Sequence, residues 1–307
     1  MELKFLHQST EQRRELILHG NILRTLIMLS FPTLMMSVIQ SLMPLSDGLF
    51  INNAAGTLVA SAVTYSEPVI NMMTALAQGL SVAAMAIIGQ ANGRGDFERV
   101  KAISAQIVVF AFTMGFCFAP LLALVAFPIS AHVDSQISHN VFLYISLYAI
   151  VLPFSFLESI YNAIKNATGK PEATFIRIVL MLFLKIVFNF VFIVSLRMEV
   201  VGCILSSLFA NVLICIWMFY ELFVQKSEDR LTLKGFRFDR ELILQLIRVG
   251  IPAMITSLML NLAFFLINNE TQRYGPVVLN GQGIANNISA VCFNLPASFG
   301  SAVTTMV

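Results

Sequence analysis

Charge is what this sequence has least of. Lysine, arginine, aspartate and glutamate together make up 12% of the 307 residues. A water-soluble globule carries about 25%, so a polar surface wrapped around one core is excluded. The balance of those charges is only +2, which gives no basic surface for a nucleic-acid partner and fits short basic loops meeting an anionic lipid leaflet. Catalytic and cofactor motifs are missing as well: there is no HExxH, no GxSxG and no phosphate-cradling loop. The run NGRGD has two glycines but neither the lysine nor the following Ser/Thr of a P-loop, so direct ATP drive, an enzymatic role and a bound cofactor are not expected. Cysteine is scarce. Cys117, Cys203, Cys215 and Cys292 all lie in apolar runs without metal-ligand spacing and read as small apolar residues.

What is abundant is apolar sequence, 57% of the chain. It comes in runs long enough to cross a hydrocarbon layer of about 30 Å, at approximately 22–53, 59–90, 98–129, 141–165, 173–196, 201–224, 243–268 and 276–307. The expectation is an all-α, polytopic transmembrane bundle in the cell membrane. Pro32, Pro44, Pro68, Pro120, Pro153, Pro252 and Pro296 fall inside these runs. Bundled membrane helices tolerate proline because neighbours satisfy the freed carbonyls, and kinks are expected at several. The residues up to about His19 are polar and charged, with no apolar h-region of a removable signal peptide, so the first span is expected to serve as the insertion signal.

Lysine and arginine set the orientation. With a cytoplasmic amino terminus, the inner segments hold Lys4, Arg13, Arg14 and Arg24, then Arg94, Arg99 and Lys101, then Lys165, Lys170 and Arg177, then Lys226, Arg230, Lys234, Arg237, Arg240 and Arg248. The outer loops hold only Arg197 and Arg273.

The chain also repeats itself. SFPTLMMSVIQSLMPLSDGLFINNAAGTLVASAV, continuing through QGLSVAAMAIIGQ, is matched by GIPAMITSLMLNLAFFLINNETQRYGPVVLNGQGI, continuing through SFGSAVTTMV. Pro32 aligns with Pro252, Gly56 with Gly275 and Gly79 with Gly300. Six spans separate the copies, so both enter the membrane in the same direction, as in transporters whose halves are related by an axis along the membrane normal. This divides the chain into a six-helix lobe over 1–224, a cytoplasmic linker over 225–242 and the first two helices of an incomplete second lobe over 243–307.

The run LSDGLFINNAAG, the run GLSVAAMAIIGQANGRGD, the segment KNATGKP and the run FNFVFIVSLRMEVVGCILSS, in that order and spacing, resemble the multidrug and toxic compound extrusion (MATE) family. The resemblance implies a twelve-helix antiporter in two six-helix lobes, exporting cationic or amphipathic compounds in exchange for protons or sodium. A chain that stops inside the eighth span would then be truncated.

An ionisable side chain at mid-bilayer costs about 2.5–3.5 kcal/mol on insertion scales, which makes each one a functional candidate. At ~1.5 Å per residue, Asp47 lies about 9 Å below the outer end of the first span and Glu67 about 12 Å below that of the second. Lys185 is near the middle of the fifth span, with Asn189 one turn further on the same face. These four groups are placed to meet in one cavity in the outer half of the membrane, and Glu158 is set closer to the inner surface, apart from them. The resemblance implies that Asp47 is the acidic residue of the coupling-ion site, with possible sodium there, that Asn189 and Asn162 are the asparagines of the same cavity, and that Ser207 is a small hydroxyl residue beside them. Family members often carry an aspartate four residues after that first asparagine, where this sequence has Ile193.

Each residue has a plainer reading. Asp47 could snorkel to water from its shallow depth, and Lys185 could do the same instead of serving as counter-ion to Asp47 or Glu67. Glu67 could simply bond backbone loosened by Pro68. Most of the 15 methionines and 26 phenylalanines are expected to face lipid or pack between helices, and Gly79, Ala83, Ala84 and Ala86 to serve close helix packing. Two other functions stay open. One is a lipid-linked saccharide flippase, which would place several cations in its cavity where only Lys185 qualifies here. The other is a membrane scaffold or receptor that transports nothing.

Overall fold

The computed structural model describes residues 22–225, 230–231 and 238–306, with side chains omitted over 22–33, at 291 and over 293–306. Lys4, Arg13, Arg14, Lys226, Lys234, Arg237 and most of the expected linker lie outside the described residues, as do the side chains of Arg24, Pro32 and Pro296.

The described residues form helices and no strand. They are α1 Ile22–Phe50, α2 Thr57–Gly93, α3 Phe97–Ala131, α4 Ser135–Tyr148, α5 Leu152–Ala167, α6 Pro171–Asn189, α7 Glu199–Phe219, α8 Arg240–Thr271 and α9 Pro276–Met306. Helices α1, α6 and α7 each continue into a short π-helical turn, Ile51–Ala55, Phe190–Ser195 and Tyr220–Val224. Asp96, Asp134 and Asp239 start α3, α4 and α8, each carboxylate accepting from a first-turn backbone N–H, which satisfies donors that have no partner within the helix.

Among the described residues six helices are long and apolar enough to span a membrane, or seven if the α4–α5 pair counts as one broken span. α9 supplies an eighth segment, 31 residues long. The fourth span differs from the single run expected over 141–165. It starts at Ser135 and breaks between α4 and α5, where the axis turns by 54°. Pro153 lies in the first turn of α5. Its ring would strike the carbonyl four residues earlier in a continuous helix, so the four-residue hydrogen bonding lapses at 149–151, where Ile150 N and Val151 N bond instead to the carbonyls three residues back, Leu147 O and Tyr148 O. Gly115 of α3 packs into the break so closely that a Cβ there would lie 2.6 Å from Pro153 Cα. Pro68, Pro120 and Pro252, by contrast, sit within unbroken helices.

The repeat is visible in the backbone. Gly56, between α1 and α2, has φ 92° and ψ 171°, and Gly275, between α8 and α9, has φ 99° and ψ 163°. Both values lie in a region that only glycine occupies without strain, so each copy turns through the same glycine hinge. The helices pack in matching pairs, α1 along α9 and α2 along α8, and exchanging the two copies converts one pairing into the other.

The main apolar core gathers around α2, α3 and α5, with Tyr65, Phe156 and Tyr161 fully buried. Gly79, Ala83 and Ala84 are buried at close crossings. Gly79 meets α8 so tightly that a Cβ would approach Met254 N to 2.9 Å and Gly250 O to 3.0 Å. Ile255, Met259, Leu262 and Leu266 on α8 are exposed, as lipid-facing positions of a span would be.

Candidate functional site: a charged cavity between the helices

Three helices meet around Asp47. One carboxylate oxygen, Oδ1, accepts from Asn189 Nδ2 at 2.6 Å, and the other, Oδ2, is ion-paired with the Lys185 ammonium. Lys185 and Asn189 are four residues apart on α6, so one turn of helix brings both to the same carboxylate. Asn189 is itself fixed from α7, where Ser206 Oγ lies 2.5 Å from its Oδ1. The side chains of Lys185 and Asp47 keep only 13% and 26% of their exposure. At that depth a carboxylate without partners would be costly, and this one has both oxygens satisfied.

The pair forms part of the wall of a cavity of ≈ 430 Å³ that opens between the α1–α7 helices and the α8–α9 pair. On the first side stand Asp47, Glu67, Glu158, Lys185 and Ser207. Asn261, Asn268, Asn286 and Asn287 line the second side. The volume lies within the range of small-molecule sites. Phe264 is the one phenylalanine in the lining among the described residues, beside Met43 and Met181, and Phe116, Phe127, Phe183 and Phe190 are exposed on the outside, in keeping with phenylalanine used mainly against lipid.

Asp47, Glu67, Lys185 and Ser207 therefore share one cavity, with Asn189 buried directly behind Asp47. Asn162 is elsewhere: its Oδ1 accepts from Arg177 Nε at 3.0 Å, in a second buried network where Arg177 Nη1 lies 2.9 Å from Glu158 Oε2. Glu158 corrects the expectation drawn from depth. The bend at Pro153 tilts α5, and Glu158 reaches the same cavity as Glu67. The α7 hydroxyl that holds Asn189 is Ser206, while Ser207 donates to Cys203 O. Ile193 is fully buried against Val59, Val200 and Cys203. The asparagines of α8 and α9 lie outside the set that depth and the family resemblance indicate. Asn261 and Asn268 are seven residues apart within an apolar run, two turns along one helix face, a spacing that marks a polar stripe inside a span.

A MatE family model matches residues 32–191, just over half of the chain. The chain belongs to the MATE family. It is 22% identical over 293 residues to a protein of Bacillus subtilis described as a probable multidrug resistance protein, YoeA, covering 92% of this chain and 63% of that one. Over 275 residues it is 21% identical to the multidrug export protein MepA of Staphylococcus aureus, covering 86% of this chain and 59% of MepA. The chain spans about 60% of the length of these relatives. Among solved structures, a MOP-superfamily transporter from Pyrococcus furiosus, for which reversed polarity of the binding pocket suggests a different function, aligns with a TM-score of 0.84 at 22% identity, over 97% of this chain and 67% of that one. A multidrug-resistance MATE transporter in an outward-facing conformation aligns at 0.82 and 22%, over 95% of this chain and 66% of that one. The fold of this multi-pass membrane chain is thus that of the MATE transporters.

Proposed function

We propose that this MATE chain serves an ion-coupled antiporter, driven by protons or sodium, that exports cationic or amphipathic small molecules across the cell membrane. The observation that carries the reading is the cavity of ≈ 430 Å³ with Asp47, Glu67 and Lys185 in its wall. Charged groups held at membrane depth around a ligand-sized space are what a transport pathway needs, and a passive bundle has no use for them. Residues 1–224 are read as one six-helix lobe, 225–242 as the linker and 243–307 as the first two helices of a second lobe, supported by the matching Gly56 and Gly275 turns. The amino terminus is read as cytoplasmic, a reading that the distribution of lysine and arginine among the loops supports. Asp47, Glu67, Lys185 and Ser207 in the cavity wall, with Asn189 behind Asp47, are read as the ion- or substrate-handling set, and Asn162 as acting behind it through Arg177.

A flippase for lipid-linked saccharides would offer unpaired cations to a pyrophosphate. Lys185 is the one cation in the cavity lining among the described residues, and it is already paired with Asp47. The test is ethidium flux in vesicles carrying the full chain, with and without an imposed proton or sodium gradient. Gradient-driven movement supports antiport. Flux equal to that of empty vesicles under both gradients would leave the scaffold reading standing.

A further inference from the structure

Resting on the antiporter reading, we infer that Glu67 is the carboxylate at which this chain exchanges its monovalent cation, while Asp47 is closed by a resident one, the ammonium of Lys185.

The argument begins with occupancy. Both oxygens of Asp47 are taken from within the protein, by Lys185 Nζ and Asn189 Nδ2. A sodium ion or a proton arriving there would have to displace a tethered ammonium that brings its own charge and pays almost no translational entropy to bind. Glu158 is likewise matched by Arg177. Glu67 is the cavity carboxylate left without an ion pair or hydrogen bond among the described residues, and so the negative charge in excess.

Position then separates Glu67 and Asp47, which line both of two spaces, from Glu158, which lines only the larger, and of the first two Glu67 is the one with its oxygens open. It stands between two spaces. On one side is the ≈ 430 Å³ cavity, and on the other a void of ≈ 30 Å³ at the seam of α1, α2 and α9, lined also by Asp47, Thr64, Asn280 and Asn287. The smaller space holds about one or two water-sized particles and is walled by the oxygen-bearing groups that hard monovalent cations prefer. The larger suits an organic ligand. One carboxylate reachable from both sides can neutralise a small cation or a ligand ammonium, and not both at once. Mutual exclusion of this kind is the requirement for exchange.

A second observation points the same way from α8. Asn268 is 1% exposed and lines the larger cavity. Its Nδ2 donates to Thr64 O at 2.8 Å, but its Oδ1 is buried with no partner. Together with Glu67, and with Glu158 Oε1, which is also unpartnered, it leaves the cavity short of hydrogen-bond donors. The ligand that answers this is an organic cation with N–H groups to give, a primary or secondary ammonium, in preference to a quaternary one.

The other charged and titratable groups facing this region are Asp47, Lys185, Tyr144, Tyr148 and Glu158, and the test separates the carboxylates without altering any of them. Dicyclohexylcarbodiimide reacts with protonated carboxyls in apolar surroundings. The full chain, in detergent, is treated across a pH series and, at one fixed pH, with sodium against choline, and adducts are located by peptide mass spectrometry. The expected result is an adduct at Glu67 that declines severalfold as pH rises, or with sodium at constant pH, the arm that protects naming the cation. No protectable adduct is expected at Asp47. Labelling at Asp47 with cation protection, no labelling at Glu67, or Glu67 labelling indifferent to both arms overturns the assignment. The Glu67→Gln chain checks that the adduct is mapped correctly. Vesicles that move neither ethidium nor a fluorescent primary amine under a gradient would defeat the antiporter reading alone, because the labelling needs no substrate.

Discussion

Asp47 and Lys185 lie 138 residues apart in the chain and form an ion pair inside the bundle, joining α1 to α6. The bond does more than neutralise two costly charges. It fixes the rotation of both helices about their axes, since a turn of either would move its charge toward lipid. Asn189 and Ser206 extend the same constraint to α7.

The pair should behave as a unit. Lys185→Met and Asp47→Asn are each expected to lower thermal stability in detergent, because each leaves the remaining partner in place without its counter-charge. The double variant should recover part of the loss, with a coupling energy of about 0.5–3 kcal/mol in the double-mutant cycle. Additive losses would mean that the two side chains do not interact.

Crossings differ in the space they leave for a side chain. Gly79→Ala is expected to cost about 1–3 kcal/mol, the usual range for overpacking, because its Cβ would press on the backbone of α8 at Gly250 and Met254. Gly89→Ala on the same helix meets nothing within 4 Å and should be neutral or slightly stabilising. Paired unfolding measurements in one detergent would check the contrast.

The two hinge glycines should respond alike. At both Gly56 and Gly275 a Cβ meets no atom within 4 Å, so alanine is penalised by backbone strain alone, about 1–3 kcal/mol. Similar losses from Gly56→Ala and Gly275→Ala, again read by thermal unfolding, are the energetic signature of the repeat. A loss at one site only would mean that one turn can rearrange.

What the sequence determined by itself follows from local quantities. Run length against bilayer thickness marked where the chain crosses, and it did so without any knowledge of neighbours. The repeated glycine between two apolar runs disclosed the turns at Gly56 and Gly275, because positive φ is a demand that the backbone makes of a single residue. Rarity exposed Asp47, Glu67 and Lys185, since charge in an apolar run is visible at once. Their meeting in one cavity could be anticipated from depth, because distance along a helix converts directly to distance across the membrane.

Only the tertiary structure decided how the helices are turned and which of them touch. In a membrane bundle the lipid-facing and helix-facing surfaces are both apolar, so periodicity carries little information about rotation. That is why depth alone sets Glu158 apart from the cavity that it reaches, and why it gives no sign of the wall of asparagines on α8 and α9. It is also why the choice between Ser206 and Ser207 had to wait for the packing of α6 on α7. The break before Pro153 depended on Gly115 of another helix receiving it. Asp47 could be picked from the sequence as the likeliest carboxylate to meet an ion. That its oxygens are already filled by Lys185 and Asn189, leaving Glu67 open to two spaces, is a matter of contacts across more than a hundred residues of chain, which no local pattern encodes.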